Sequence, residues 1–173
     1  MNDTAEKIDT VFRPFTVIRE HQRNYPVDVE ALAESFGIPV IKKDWPNDMS
    51  GAIGRDDKGY FIIVNKKHPE VRQRFTIAHE IAHYILHGNQ IGEGIKDDWA
   101  YRSKMSETDE RAANTLAAEI LVPVDMLGKA TVEVIGSPGI QQGQRLSAGN
   151  LSDVAKALNV STTVLAIRLG VPT

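Results

Sequence analysis

One short pattern in the chain carries chemistry: His79-Glu80-Ile81-Ala82-His83, an H-E-x-x-H arrangement. Four residues of α-helix turn the chain by about 400°, one full turn plus about 40°. His79 and His83 therefore share one side of a helix, a turn apart, and both imidazoles can reach a single metal ion. Glu80 lies about 100° round from His79, where it can reach water at the ion without competing as a ligand. Neutral imidazole is a good zinc donor, and zinc lowers the pKa of the water it holds to roughly 7. The chemistry on offer is hydrolysis of a polarised carbonyl, with Glu80 as the base that takes the proton of the attacking water. The bland alternative is a pair of surface histidines on an amphipathic helix.

A zinc site needs a third protein ligand. His87 continues the spacing of four, but its backbone lies about 12 Å along the helix from that of His79, too far for one ion to bind all three. The extended histidine motif, which adds a glycine and then a third histidine, is not met, because Leu86 and Asn89 hold those places. The third ligand is therefore expected from another helix. The segment after Ser106 offers Glu107, Asp109, Glu110 and Glu119. Glu110 is followed by Ala113, Asn114, Ala117 and Ala118, small residues that let two helices approach closely. Asn114, one turn after Glu110, could hydrogen-bond a ligand imidazole. An equally weighted alternative makes Glu110 a solvated acid favoured near a helix N-terminus.

The elements that must position these residues are readable in outline. His68-Pro69 opens a long helix, with proline at its first position, that runs to about residue 87 and stops at Gly88-Asn89. Val71, Phe75, Ala78, Ala82 and Ile85 form its core stripe, leaving the histidines on the flank. Ser106 with Asp109 forms a capping box for a second long helix ending near residue 121, before Pro123. Upstream, Pro14 divides residues 4–25 into two short helices. Asp28 caps a helix stopped by Gly37, and residues 38–41 read as a strand. Residues 50–55 and 59–65 flank Asp56-Asp57-Lys58 as a hairpin. Residues 88–105 read as a loop or lid and 136–149 as a glycine-rich linker. Two short helices, 151–158 and 162–169, finish the chain. Helices, then strands, then helices again indicate an α+β fold, with a catalytic domain over 1–135 and a helical C-terminal extension over 136–173.

Composition sets the outer bounds. The 173 residues are 42% hydrophobic and 25% charged, ordinary for a globular domain, and the net charge of −3 argues against a general nucleic-acid coat. With no cysteine, thiolate zinc fingers, disulfides and a cysteine nucleophile are excluded. The N-terminus lacks a basic start followed by an apolar stretch, which points to the cytoplasm.

At this point the chain resembles a known family. Arg74-Phe75-Thr76-Ile77-Ala78-His79-Glu80-Ile81-Ala82-His83-Tyr84-Ile85-Leu86-His87, followed by Glu110-Arg111-Ala112-Ala113-Asn114-Thr115-Leu116-Ala117-Ala118-Glu119-Ile120-Leu121-Val122-Pro123, is similar to the ImmA/IrrE metallo-endopeptidases, with Leu116 where that family more often has phenylalanine. The resemblance spans about residues 28–127. It implies a zincin-like core, a small sheet packed on the helices, and one Zn2+ held by His79, His83 and Glu110 with Glu80 as general base. It also implies a bacterial or mobile-element regulatory protease whose protein substrate is a helix-turn-helix transcriptional repressor.

Four further expectations follow. The strand over residues 60–65 precedes the motif helix, so Tyr60, Ile62, Val64 and Asn65 are candidate substrate contacts through β-augmentation; an internal strand with both edges paired is the alternative. Tyr84 and Tyr101 are candidate oxyanion donors, and Trp99 a candidate cover of the cleft. Arg72 and Arg74 read as solvated or salt-bridged, His21 and His68 as surface residues. Residues 151–164 resemble a helix-turn-helix, which raises a DNA-binding regulator as a rival function, beside a metal-bound regulator that does not cut. Arg168 is the one cation of the presumed reading helix, poor equipment for a DNA groove, which argues against DNA binding.

Overall fold

The computed structural model describes residues 3–88, 91, 105–136 and 147–171. Among them are three strands and seven helices: α1 (Asp3–His21), α2 (Val29–Ser35), β1 (Val40–Lys43), β2 (Gly51–Asp56), β3 (Gly59–Asn65), α3 (Glu70–His87), α4 (Glu107–Leu121), α5 (Val124–Ile135), α6 (Ala148–Ala157) and α7 (Thr162–Leu169). The fold is α+β. The loop expected over 88–105 and the linker over 136–149 fall largely outside the described residues, as do Trp99 and Tyr101.

The sheet order is β1-β3-β2. β2 and β3 form the expected hairpin, antiparallel from Asp56↔Gly59 to Gly51↔Val64, and β1 runs parallel to β3 from Val40↔Ile62 to Lys43↔Asn65. β3 is thus the central strand. Its run Ile62-Ile63-Val64 is fully buried, as a strand covered on both faces requires. This corrects the expected substrate strand: both edges of β3 are already hydrogen-bonded, so it has no ladder left to offer an incoming backbone.

Two helix boundaries also differ from expectation. α1 is one helix, with Pro14 inside it; the proline removes one backbone donor and the helix continues on both sides. Pro69 caps α3 from outside, and the helix begins at Glu70. One helix was not anticipated: α5, which follows Pro123 and buries Met126 and Ala130, one turn apart. Asp28 caps α2 by accepting from the amides of Glu30 (3.1 Å) and Ala31 (3.0 Å). Ser106 and Asp109 form the reciprocal box that starts α4.

α3 is the spine of the molecule. It packs most extensively on α4 and also meets α2, β2 and β3. Ala78 and Ala82 on α3 and Ala113 and Ala117 on α4 are all fully buried, which lets the two axes approach closely. The buried face of α3 is broader than the predicted stripe: Ile77 and Ile81 are buried with the two alanines, while Val71, Phe75 and Ile85 are half-buried. Val154, Leu158 and Leu165 of the last two helices join the same core. Arg74 fastens them to α3. Its Nε donates to the Asn159 carbonyl (3.2 Å) and its Nη2 to the Val27 carbonyl (2.8 Å). Burial pulls the Arg74 pKa below its ordinary value, opposed by the nearby carboxylates of Glu70, Asp28 and Glu30.

Candidate metal centre

α3 presents His79 and His83 from successive turns with their Nε2 atoms 2.8 Å apart and their rings nearly perpendicular. α4 brings Glu110 opposite them. Its Oε2 lies 3.5 Å from His79 Nε2 and its Oε1 3.5 Å from His83 Nε2. The three residues offer donor atoms that all lie within 4.8 Å of one another. A tetrahedral ion with bonds of about 2.0–2.1 Å spaces its ligand atoms about 3.3 Å apart, so separations of 2.8, 3.5 and 3.5 Å fit one small cation. Two imidazole nitrogens with one carboxylate is a donor set suited to zinc. His83 is 1% exposed, while the Glu110 side chain keeps 41% of its surface open; the centre is sealed on one side and open on the other.

His79 also borders a cleft of about 510 Å³. His79, Glu80 and Asn114 form its metal end; Phe75, Thr76 and Arg72 continue along α3; Asp48, Met49, Ser50, Gly51 and Ala52 make the opposite wall. Glu80 is 1% exposed yet borders this space, so it is shielded from bulk water at the edge of the cleft. Gly51 is required for the close approach of β2 to α3. A Cβ there would sit 2.4 Å from Thr76 Cγ2 and 2.6 Å from the Ile63 carbonyl oxygen.

The sequence model of the family described as Peptidase M78, IrrE N-terminal-like domain, matches residues 33–170. The chain belongs to this family. The radiation response metalloprotease IrrE of Deinococcus deserti is 27% identical over an alignment of 111 positions that covers 56% of this chain and 39% of that protein. A Mycobacterium tuberculosis transcriptional regulator of known structure shares the fold, with a TM-score of 0.57 at 14% identity, over 94% of this chain and 47% of the other. This IrrE N-terminal-like domain therefore spans about two fifths of the curated relative and about half of the structural one. Its α+β core is zincin-like.

Other expected site residues take different places in this IrrE-like domain. Asn114 borders the cleft, and His79 Nδ1 finds no hydrogen-bond partner among the described residues, so the expected bond between Asn114 and a ligand imidazole is not formed. Of the four residues expected to contact substrate, Ile62 and Val64 are core, and Tyr60 donates to the Gly88 carbonyl (3.0 Å), fixing the end of α3. Asn65 is fully buried. Its Nδ2 donates to the carbonyls of Trp45 (3.2 Å), Pro46 (2.9 Å) and Met49 (2.9 Å), and its Oδ1 accepts from the amides of Trp45 and Lys67. It holds the loop that forms the far wall of the cleft. His68 does the same from below, buried with Nε2 3.0 Å from the Asn47 carbonyl, not on the surface. Tyr84 stacks with Tyr60 and Phe36, away from the cleft lining.

Arg72 is exposed, in keeping with the expectation that it is solvated. It lies in the cleft and donates to the Ser50 hydroxyl from Nη2 (2.8 Å) and Nε (3.2 Å). The Asp48–Ala52 wall had no motif to announce it; the available signal was a glycine, Gly51, opening a strand.

Proposed function

We propose that the protein is a zinc-dependent endopeptidase that acts on a specific protein substrate, a helix-turn-helix transcriptional repressor. The reading is carried by the convergence of His79, His83 and Glu110 at the end of a cleft that Glu80 borders. His79, His83 and Glu110 would hold the ion. Zinc bound there supplies a Lewis acid that polarises the scissile carbonyl and acidifies water. Glu80 takes the proton from the attacking water and passes it to the departing amine nitrogen. Its burial keeps bulk water from competing for that proton.

Among the described residues β2 pairs only with β3, which leaves its other edge beside this cleft for a substrate backbone, and its first residues line the cleft wall. An extended peptide laid on that free edge as a fourth strand passes over Glu80 and His79. The DNA-binding alternative is weakened by Arg168, whose Nε donates to the Val122 carbonyl at 2.7 Å and so faces the protein. No helix among the described residues is long and apolar enough to cross a membrane.

The test is direct. Zinc-loaded protein incubated with the helix-turn-helix protein encoded by the adjacent gene should release a discrete fragment, blocked by chelator and absent with Glu80→Gln. Regulation that persists with Glu80→Gln and without any fragment would establish a metal-bound regulator that does not cut.

A further inference from the structure

Among the described residues that line the cleft, Arg72 is the one lysine or arginine. One edge of its guanidinium, Nε with Nη2, is committed to Ser50 Oγ. Ser50 is itself pinned, because its carbonyl accepts from the Asn65 amide at 2.9 Å. The guanidinium is therefore held in place, and its second edge, Nη1 with the other Nη2 hydrogen, has no partner among the described residues. Asp48 shares the cleft wall but makes no ion pair with it. A planar fork fixed on one edge and open on the other matches a carboxylate, which it can bind through two parallel hydrogen bonds.

Position along α3 gives the register. Arg72 precedes His79 by seven residues, about 10.5 Å along the helix axis. The start of β2 tracks the same stretch, with Ser50 at Arg72 and Gly51 at Thr76. An extended chain advances about 3.3 Å per residue, so Arg72 lies about three residues from the metal end.

We propose that Arg72, held by Ser50, is a carboxylate-binding subsite that selects Asp or Glu in the bound peptide two to four residues from the scissile bond. The distance to the scissile bond rests on the peptidase reading above; the preference for a carboxylate does not.

The experiment separates the two. Zinc-loaded Glu80→Gln protein is immobilised, a mixture of randomised synthetic decapeptides is passed over it, and the retained peptides are sequenced by mass spectrometry. Asp and Glu should be enriched about five- to tenfold, the scale of one partly exposed charge-assisted pair. Arg72→Glu on the same background should reverse the enrichment toward Lys and Arg, and Arg72→Ala should erase it, with each variant first shown to bind zinc at the parent stoichiometry. Reversal is a result that loosening of the fold does not produce. No retention, retention without acidic enrichment, or enrichment that survives both substitutions overturns the proposal. Digestion of the same mixture by the wild-type protein then tests the register: an acid two to four residues from the cut bond is expected, and an acid at another distance contradicts it. If wild type cuts neither this mixture nor the helix-turn-helix protein while acidic retention and its reversal hold, the peptidase reading fails and the subsite stands.

Discussion

Asn65 Nδ2 donates to the Met49 carbonyl at 2.9 Å, tying the end of the central strand to the loop that becomes the cleft wall. That carboxamide also serves Trp45 and Pro46, so removing it strands several inward-facing backbone groups at once. Asn65→Ala should destabilise the protein by about 3 kcal/mol, measured by urea unfolding. Faster amide exchange over residues 45–50 than over α4 should accompany it. Wild-type exchange in that loop would contradict the assignment.

Gly51 bears on the same wall from the strand side. Gly51→Ala places a methyl group against Thr76 Cγ2 and the Ile63 carbonyl and should cost about 1–3 kcal/mol. Adding Thr76→Ser removes one of the two clashes. The double variant should recover part of the loss and not all of it, because the backbone oxygen of Ile63 stays in place. Full recovery, or no loss in the single variant, would contradict the close approach of β2 to α3.

Glu80 is separable from the ion. Glu80→Gln keeps the shape of the side chain and leaves the three candidate ligands untouched. It should retain zinc at the parent stoichiometry and lose about 10²- to 10⁴-fold in peptide hydrolysis, the range for loss of a positioned base. Hydrolysis at the wild-type rate would remove Glu80 from the chemistry.

The start of α4 predicts a pH dependence. The Ser106 hydroxyl and amide hold the Asp109 carboxyl below its ordinary pKa. A folded pKa lowered in this way adds stability above the unfolded value, about 3.9, and that stability is lost as pH falls through the lower folded value. In metal-free protein, Ser106→Ala should therefore lower the melting temperature at pH 7, and its gap to wild type should narrow below about pH 4. A gap that is constant through the acid range would contradict the linkage.

What could be read in advance was local. His79, Glu80 and His83 lie within five residues, Ser106 and Asp109 within four, and helical spacing alone brings each group together. Glu110 is not singled out by spacing: with Ala113 and Asn114 beside it, a solvated acid at the helix start remains equally weighted, and only the family resemblance implies it as a ligand. The place of β3 in the sheet could not be read the same way, because strand order depends on which distant segment pairs with each edge. The buried run Ile62-Ile63-Val64 did carry the hint of a central strand. Asn65 reads from the sequence as a candidate substrate contact; the carbonyls its Nδ2 serves lie 16 to 20 positions away in a loop without motif. α5 is hard to read from the sequence because Pro123, which precedes its first residue, also marks the end of α4.

The central claim is that His79, His83 and Glu110 grip one zinc ion between α3 and α4. Anomalous diffraction at the zinc edge, from crystals of the full chain grown with one equivalent of zinc, tests it most directly. A single peak about 2.0–2.2 Å from His79 Nε2, His83 Nε2 and a Glu110 carboxylate oxygen is expected. A peak elsewhere, or one bound by the histidines with Glu110 turned away, would contradict it.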